Sequence, residues 1–301
     1  MKVLVTGATG FIGSRVCKAI LEQGYQVHYL TRSQSSKGVE NAKEFVWDPY
    51  KEEIDLACLD GVEVIIHLAG SSIADSWSEK GKQLILDSRV IPTAFLHKVL
   101  ESNPHTVKQL IGASAIGIYS NIDEVQSEDH FKRANNFLGT VVQRWEEGNI
   151  AFKSLGIKVS LIRIGLVLDM HECALATMVK PVKLWLGAPL GSGNQYYSWI
   201  HINDLVGIFV HVLKHQLEGI YNGVAPQPLT NSVFTKILGK AMNRPIWLPA
   251  IPEGFIKLAL GEKAMLVTEG QYVDSHKIRN TGFEFKFKTL EEALDDFILC
   301  G

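Results

Sequence analysis

The residues that decide the fold are Val3-Leu4-Val5-Thr6-Gly7-Ala8-Thr9-Gly10-Phe11-Ile12-Gly13. The apolar run Val3 to Val5 reads as a buried parallel strand, and from Phe11 to Leu21 the apolar spacing becomes helical. A glycine turn lies between them. Strand, tight turn and helix N-terminus make the layout a dinucleotide needs: the backbone can approach a pyrophosphate closely, and the first helical turn carries partial positive charge. Gly7, Gly10 and Gly13 are spaced Gly-x-x-Gly-x-x-Gly. With Thr9, Phe11 and Ile12 they form the candidate pyrophosphate site.

Outward from this turn, Gly24 closes the helix and Tyr25 to Leu30 reads as the second strand. NAD sites place Asp or Glu near the end of this strand to bind the ribose hydroxyls. Here the residues are Leu30-Thr31-Arg32-Ser33, without a carboxylate. Arg32 can grip a 2′-phosphate through two charge-assisted bonds, and Thr31 and Ser33 add hydroxyl donors. NADP(H) is therefore the expected cofactor. NAD(H) is the alternative if Arg32 is only a solvated loop residue.

Val62 to Gly70 reads as another buried strand, ending in Leu68-Ala69-Gly70, where the backbone can lie close under a ligand at the carboxyl end of the sheet. His67, inside the apolar run, reads as a hydrogen-bonded core residue rather than a base. Ser78 to Ser102 has helical spacing, with a break or fresh start expected near Pro92. Strands follow at Val107 to Ala113 and at Ile157 to Ile164, with helices at Asn231 to Met242, Glu253 to Leu260 and Leu290 to Leu299. Gly282 to Phe287 alternates like a short edge strand.

With 301 residues, 46% of them hydrophobic, the chain can bury a large core as one big domain or two joined ones. A net charge of −2 gives no footing for nucleic acid or a membrane surface. The four cysteines, Cys17, Cys58, Cys173 and Cys300, lack metal-site spacing and point to a reducing, cytoplasmic compartment. No stretch has the length and apolarity of a signal peptide or membrane span. The expected partner is a small-molecule substrate; a homodimer is compatible with the sequence, which does not fix the oligomeric state.

The opening stretch resembles the T-G-x-x-G-x-x-G motif of the extended short-chain dehydrogenase/reductase (SDR) family, and further matches run along the chain. His67 to Gly70 resembles H-L-A-(A/G), and Arg89-Val90-Ile91-Pro92-Thr93 resembles N-V-x-G-T, with Arg89 in the Asn position. That cation could hold a cofactor phosphate or an acidic substrate, or could form a salt bridge within the helix layer. Ser114 to Ser120 resembles S-S-x-x-V-Y-G, Arg163-Ile164-Gly165 resembles R-x-(G/N), and Trp199-Ile200-His201 with Asp204-Leu205 resembles (W/F)-I-H-x-x-D-(L/V). Asp204 reads as a local cap for the helix after it. Thr31-Arg32-Ser33, Trp77-Ser78-Glu79, Ser88-Arg89, Trp145-Glu146-Glu147 and Gly187 to His201 also resemble the subgroup called epimerase family proteins. The resemblance implies an α/β fold: a Rossmann-type doubly wound parallel sheet over residues 1–165 and a smaller, mostly helical substrate-side lobe over 166–301. Trp199 to Leu205 would pack back on the first domain. It also adds Leu68, Ala69, Gly70, Arg89 and Arg163 to the cofactor site.

The chain departs from the family at its chemistry. SDR enzymes use Tyr-x-x-x-Lys, one helical turn apart, the lysine lowering the tyrosine pKa. None of the eight tyrosines here has a lysine four residues later. Aligning the family's downstream Glu with Glu146 puts Leu138 and Val142 in the Tyr and Lys positions. Ser114 is the candidate hydroxyl for the reacting carbonyl if one residue is inserted before Tyr119; otherwise Ala115 takes that place. Tyr119 is the candidate replacement acid or base. The arginine that grips diphosphate in nucleotide-sugar enzymes falls on Tyr197, which argues against a UDP-sugar. Tyr196, Tyr197, Trp199 and His201 read as a partly aromatic substrate pocket or as ordinary packing between lobes. Two functions follow: an NADP(H)-dependent oxidoreductase or epimerase-like enzyme with an atypical proton relay, or a catalytically silent NADP(H) sensor.

Overall fold

The computed structural model describes residues 1–32, 38–170 and 172–299. In chain order the elements are β1 (Lys2–Thr6), α1 (Phe11–Glu22), β2 (Gln26–Thr31), β3 (Lys43–Asp48), β4 (Glu53–Ile54), β5 (Val62–His67) and α2 (Glu79–Ser102). Then come β6 (Gln109–Ala115), α3 (Phe137–Ile150), β7 (Lys158–Ile164), β8 (Leu166–Leu168), α4 (Cys173–Lys183), β9 (Tyr196–Tyr197) and β10 (Trp199–His201). Last are α5 (Ile202–His215), β11 (Gly219–Gly223), β12 (Leu229–Thr230), α6 (Asn231–Ala241), α7 (Glu253–Leu260), α8 (Met265–Thr268), α9 (His276–Asn280) and α10 (Leu290–Leu299).

Eight strands form the main sheet in the order β11-β7-β6-β5-β1-β2-β3-β4. β1 pairs in parallel with both β2 and β5, so the winding direction reverses beside β1. Ligands bind at such a switch point, outside the carboxyl ends of the strands. The apolar runs form this sheet because its strands are covered on both faces. Leu4, Ile65, Leu96, Leu110, Phe152 and Leu161 share one core with strand and helix contributions. The fold is the expected Rossmann-type doubly wound α/β arrangement.

Two compact units divide the chain. One comprises residues Met1–Ser114, Thr140–Arg163 and Val206–Tyr221; the other comprises Ala115–Gly139, Ile164–Leu205 and Asn222–Gly301. The units thus interleave in sequence, where a single boundary near residue 165 assigns residues 115–139 and 206–221 differently. The second unit has its own core, in which Leu168, Val179, Trp199, Phe234, Leu238 and Leu290 are buried together.

Three local expectations change. α2 runs unbroken from Glu79 to Ser102 with Pro92 inside it, started by Ser78, whose hydroxyl accepts from the Gly81 amide at 3.2 Å. Gly282 to Phe287 is not a strand. Its last amides find another acceptor: the Asp204 carboxylate receives Lys286 N–H at 2.9 Å and Phe287 N–H at 3.0 Å. Asp204 therefore fixes a chain segment far away in sequence rather than capping its own helix. Among the described residues, no helix is long and apolar enough to cross a membrane.

Candidate functional site

At the end of β1 the chain turns through Gly7 with φ +68°, a left-handed conformation that favours glycine. A Cβ at Gly7 would lie 2.7 Å from the Leu68 carbonyl oxygen, and one at Gly13 would lie 2.1 Å from the Gly7 oxygen. Only glycine fits either place. Gly10 N–H donates to the Gly7 oxygen at 3.0 Å and Gly10 serves as N-cap of α1, with no side-chain cap and no acidic residue in the first turn. The first amides and the positive end of the helix dipole are therefore available to a phosphate. A dinucleotide pyrophosphate fits this glycine-lined cradle.

β5 ends against the same turn. The Thr6 hydroxyl accepts from Leu68 N–H at 3.1 Å and from Ala69 N–H at 3.2 Å, which leaves its own proton for His67 Nδ1 at 2.7 Å. His67 Nε2–H then donates to Thr93 Oγ1 at 2.9 Å, whose proton goes to the Arg89 carbonyl at 2.6 Å. This chain of bonds suits only a neutral imidazole. Burial pushes the His67 pKa down to about 4. His67 is a core strut that ties β1, β5 and α2 together, as its place in an apolar strand suggests. Leu68 and Ala69 are half-buried and Gly70 is exposed.

At the end of β2, Thr31 is buried and Arg32 is exposed, with no salt bridge to any described residue. Ser33 lies outside the described residues. On α2, Arg89 is buried and donates to the Ile85 and Ser71 carbonyls at 2.9 and 3.0 Å. The salt bridge considered for it within the helix layer is not formed to any described residue.

Ser114, Glu146 and Arg163 meet in one buried cluster. The Arg163 guanidinium grips Glu146 as a fork, Nε to Oε1 at 2.8 Å and Nη2 to Oε2 at 2.9 Å. Ser114 Oγ donates to the same Oε1 at 2.5 Å. Each partner neutralises or saturates the other, the condition for burying an ion pair. Sequence reading used Glu146 only to set register. A lone carboxylate on the apolar face of α3 (Phe137, Leu138, Val141, Val142, Trp145) and a lone arginine in β7 were the signal that they pair. On α3, Val142 is buried and Leu138 half-buried.

The remaining candidates belong to the second unit. Tyr119 is 0% exposed; its hydroxyl donates to Asn222 Oδ1 at 2.6 Å and its ring meets Phe131 edge-on. Asn222 in turn donates its backbone N–H to buried Glu128 at 2.6 Å and its side chain to the Asp274 carbonyl at 2.8 Å. Burial raises the Glu128 pKa. Tyr196 is half-buried and stacks on Tyr272 with ring centroids 4.3 Å apart. Tyr197 donates to the Val267 carbonyl at 3.1 Å and accepts from Asn231, and burial pushes its pKa up to about 12. Trp199 is fully buried and donates to the Gln227 carbonyl. His201 accepts Asn203 N–H at Nδ1, lies between Phe287 and Phe297, and is held neutral by burial, its pKa pushed down to about 4. Of these four, Tyr196 has the most open ring. No group of His, Cys, Asp and Glu among the described residues is arranged to hold a metal ion.

Known proteins resemble this chain over nearly its whole length. Residues 3–140 match the NAD dependent epimerase/dehydratase family, and residues 251–297 match a domain of unknown function. The chloroplastic epimerase family protein SDR39U1 homolog of Arabidopsis thaliana is 35% identical over 299 residues, covering 98% of this chain and 86% of that protein. The crystal structure of the human epimerase family protein SDR39U1 with NADPH superposes with a TM-score of 0.86 at 28% identity, covering 99% of both chains. The UDP-glucuronic acid 4-epimerase of Bacillus cereus, solved with UDP-glucuronic acid and NAD, shares the fold: TM-score 0.77, 18% identity, 100% of this chain and 99% of that one.

Proposed function

The chain belongs to the NAD dependent epimerase/dehydratase family, the extended SDR epimerases, and on that premise we propose that it is an NADP(H)-dependent oxidoreductase or epimerase-like enzyme acting on a small molecule. The observation that carries this reading is the glycine cradle: side chains are sterically excluded at Gly7 and Gly13, and the N-terminus of α1 is left bare. NADP(H), when bound, supplies or accepts the hydride. The amides of the α1 first turn bind its pyrophosphate, and Leu68 to Gly70 support the ribose from the end of β5. Arg32, with Thr31 and Ser33, discriminates for the 2′-phosphate. The human relative's NADPH supports the same choice; NAD(H) is the alternative.

Ser114 and Tyr119 are the proposed hydroxyls for the substrate oxygen and the proton. Each donates to a buried acceptor in the resting chain, Glu146 and Asn222. Turnover through them requires those bonds to be exchanged for bonds to substrate. The apolar Leu138 and Val142 face favours the second reading, a catalytically silent NADP(H) sensor, because no lysine on α3 lowers a phenol pKa from its usual value of about 10.

The deciding experiment is hydride transfer from NADPH to a broad carbonyl panel by the purified protein, followed by absorbance. Turnover that falls at least about 100-fold in Ser114→Ala and Tyr119→Phe, while NADPH still binds, establishes the enzyme and its hydroxyls. NADPH binding without transfer to any member of the panel selects the sensor.

A further inference from the structure

The net charge of −2 hides a one-sided distribution of charge within the second unit. Residues 173–203 and 222–252 contain no Asp or Glu, yet they carry Lys180, Lys183, Lys236, Lys240 and Arg244. The fold brings the two stretches together. Val179 and Val182 of α4 share a core with Leu238 of α6, and Ile246 packs against it. The cations therefore stand on neighbouring elements that hold no carboxylate to offset them.

Three of these cations line one cleft. Lys236 and Lys240 are exposed and stand one turn apart on α6. Past the helix, Asn243 turns the chain at φ +53°, and Arg244 N–H returns to the Gly239 carbonyl at 2.8 Å. The returning chain crosses α6 so closely that a Cβ at Gly239 would lie 2.6 Å from the Arg244 oxygen. Glycine at 239 is what lets Arg244 lie back beside the lysines. The cleft has a volume of about 410 Å³ and is lined by Lys236, Gly239, Lys240 and residues 243–246, none of them acidic.

Arg244 is held in place without a charged partner. Its guanidinium carbon lies 4.7 Å from the ring centroid of Trp185, and its Nη1 donates to the Asn243 carbonyl at 3.0 Å. Its Nε is buried and has no hydrogen-bond partner. Trp185 itself sits at φ +64°, the left-handed position after α4 where helices usually place glycine. None of the three cations forms a salt bridge with a described residue. Like charges one helical turn apart repel. The helix dipole favours Lys240, in the last turn of α6, but its reach does not extend to Lys236. An anion in the cleft would relieve the repulsion and give the guanidinium the charged acceptor it lacks.

We propose that this cleft binds a phosphate group, carried by a soluble molecule or by a lipid headgroup. Lys236 and Lys240 supply point charges, and Arg244 supplies directional donors. The site lies within the second unit alone and does not rest on the functional reading.

The test uses the full chain as wild type, as Arg244→Met, and as the double variant Lys236→Met with Lys240→Met. A double variant of exposed lysines in the first unit, Lys158→Met with Lys214→Met, controls for lost charge. Each protein is titrated calorimetrically with inorganic pyrophosphate and sedimented with phosphatidylcholine vesicles, with and without phosphatidic acid. Pyrophosphate should bind wild type and control alike, and at least about tenfold more weakly to the other two variants. That result without sedimentation assigns the phosphate to a soluble molecule. Sedimentation that needs phosphatidic acid and is lost in the same variants, without heat from pyrophosphate, assigns it to a lipid headgroup; both together mean that the cleft takes either. Should Arg244→Met not fold, the double variant decides alone, because both its lysines are exposed. No binding of either probe by wild type overturns the proposal. So does binding that the cleft variants leave unchanged, the result expected if pyrophosphate sits in the glycine cradle of the first unit instead.

Discussion

The first turn of α1 and the middle of α3 are two helical stretches of the first unit, and they are shaped by different means. In α1 the requirement falls on the backbone: three glycines, a bare N-cap and close approach of the Leu68 carbonyl. In α3 the matter falls on side chains: Val142 is buried, Leu138 is half-buried, and Glu146 is held in the Arg163 fork. A turn written in backbone geometry and a helix face written in side chains therefore answer to different substitutions. The predictions that follow try to break that contrast.

The largest effect on cofactor binding is expected at the glycines. Gly13→Ala places a methyl 2.1 Å from the Gly7 oxygen, a contact no rotamer change can relieve. NADPH affinity should fall at least about 100-fold, roughly 2.7 kcal/mol, in fluorescence titration of a variant that still shows helical circular dichroism. Retention of full affinity would show that the turn is not the binding element.

The converse substitution probes α3. Val142 is 4% exposed, so Val142→Lys buries an ammonium without a carboxylate beside it. The expected loss is about 3–5 kcal/mol of stability by urea unfolding, with the lysine pKa driven down. If the variant is instead as stable as wild type, the lysine position has kept a solvated, polar environment, and the sensor reading loses its main support.

These two stretches also show what was legible in the amino-acid sequence. The glycine turn was, because its constraints are local: residue spacing alone carries the steric argument. So were the strands of the first unit, whose continuous apolar runs suit a sheet covered on both sides. The Ser114–Glu146–Arg163 cluster was visible only as separate residues, since its members lie 17 and 32 positions apart and nothing local says they meet. Tyr119 is legible as a candidate acid, but that Asn222, 103 residues away, accepts its hydrogen bond is not. The edge strand foreseen at Gly282 to Phe287 failed for a like reason. A distant carboxylate, Asp204, took the amides that a ladder would have used.

A second effect on stability is expected from pH, and it concerns the strut beneath the glycine turn. In the folded chain the His67 pKa is pushed down to about 4 by burial, whereas an unfolded histidine titrates near 6.5. Between those values the unfolded state binds more protons, so stability rises with pH across the window and is lost as pH falls through it. The loss should approach about 3 kcal/mol from pH 6.5 to pH 4. Above pH 6.5 this contribution is constant. Melting temperatures measured from pH 7.5 to 4.5 on wild type and His67→Gln check it: the variant should be less stable at neutral pH, and its curve should be flatter. Parallel curves would mean that another group sets the acid limit.

The smallest effect separates the cofactors, and it sharpens the contrast because it too lies in a side chain rather than the backbone. Arg32 is exposed at the end of β2, where a carboxylate would instead select NAD. NADPH and NADH share the pyrophosphate and therefore gain equally from the α1 turn; they differ only in the 2′-phosphate that Arg32 would grip. A side-by-side titration should favour NADPH by at least about tenfold, or 1.4 kcal/mol, at low ionic strength. The margin should shrink as salt screens an exposed charge pair. Arg32→Ala should erase the gap by weakening NADPH while leaving NADH unchanged. If the substitution weakens both dinucleotides equally, Arg32 supports the turn as a whole rather than reading the phosphate. If it alters neither, Arg32 is a surface charge and cofactor choice lies elsewhere in the first unit.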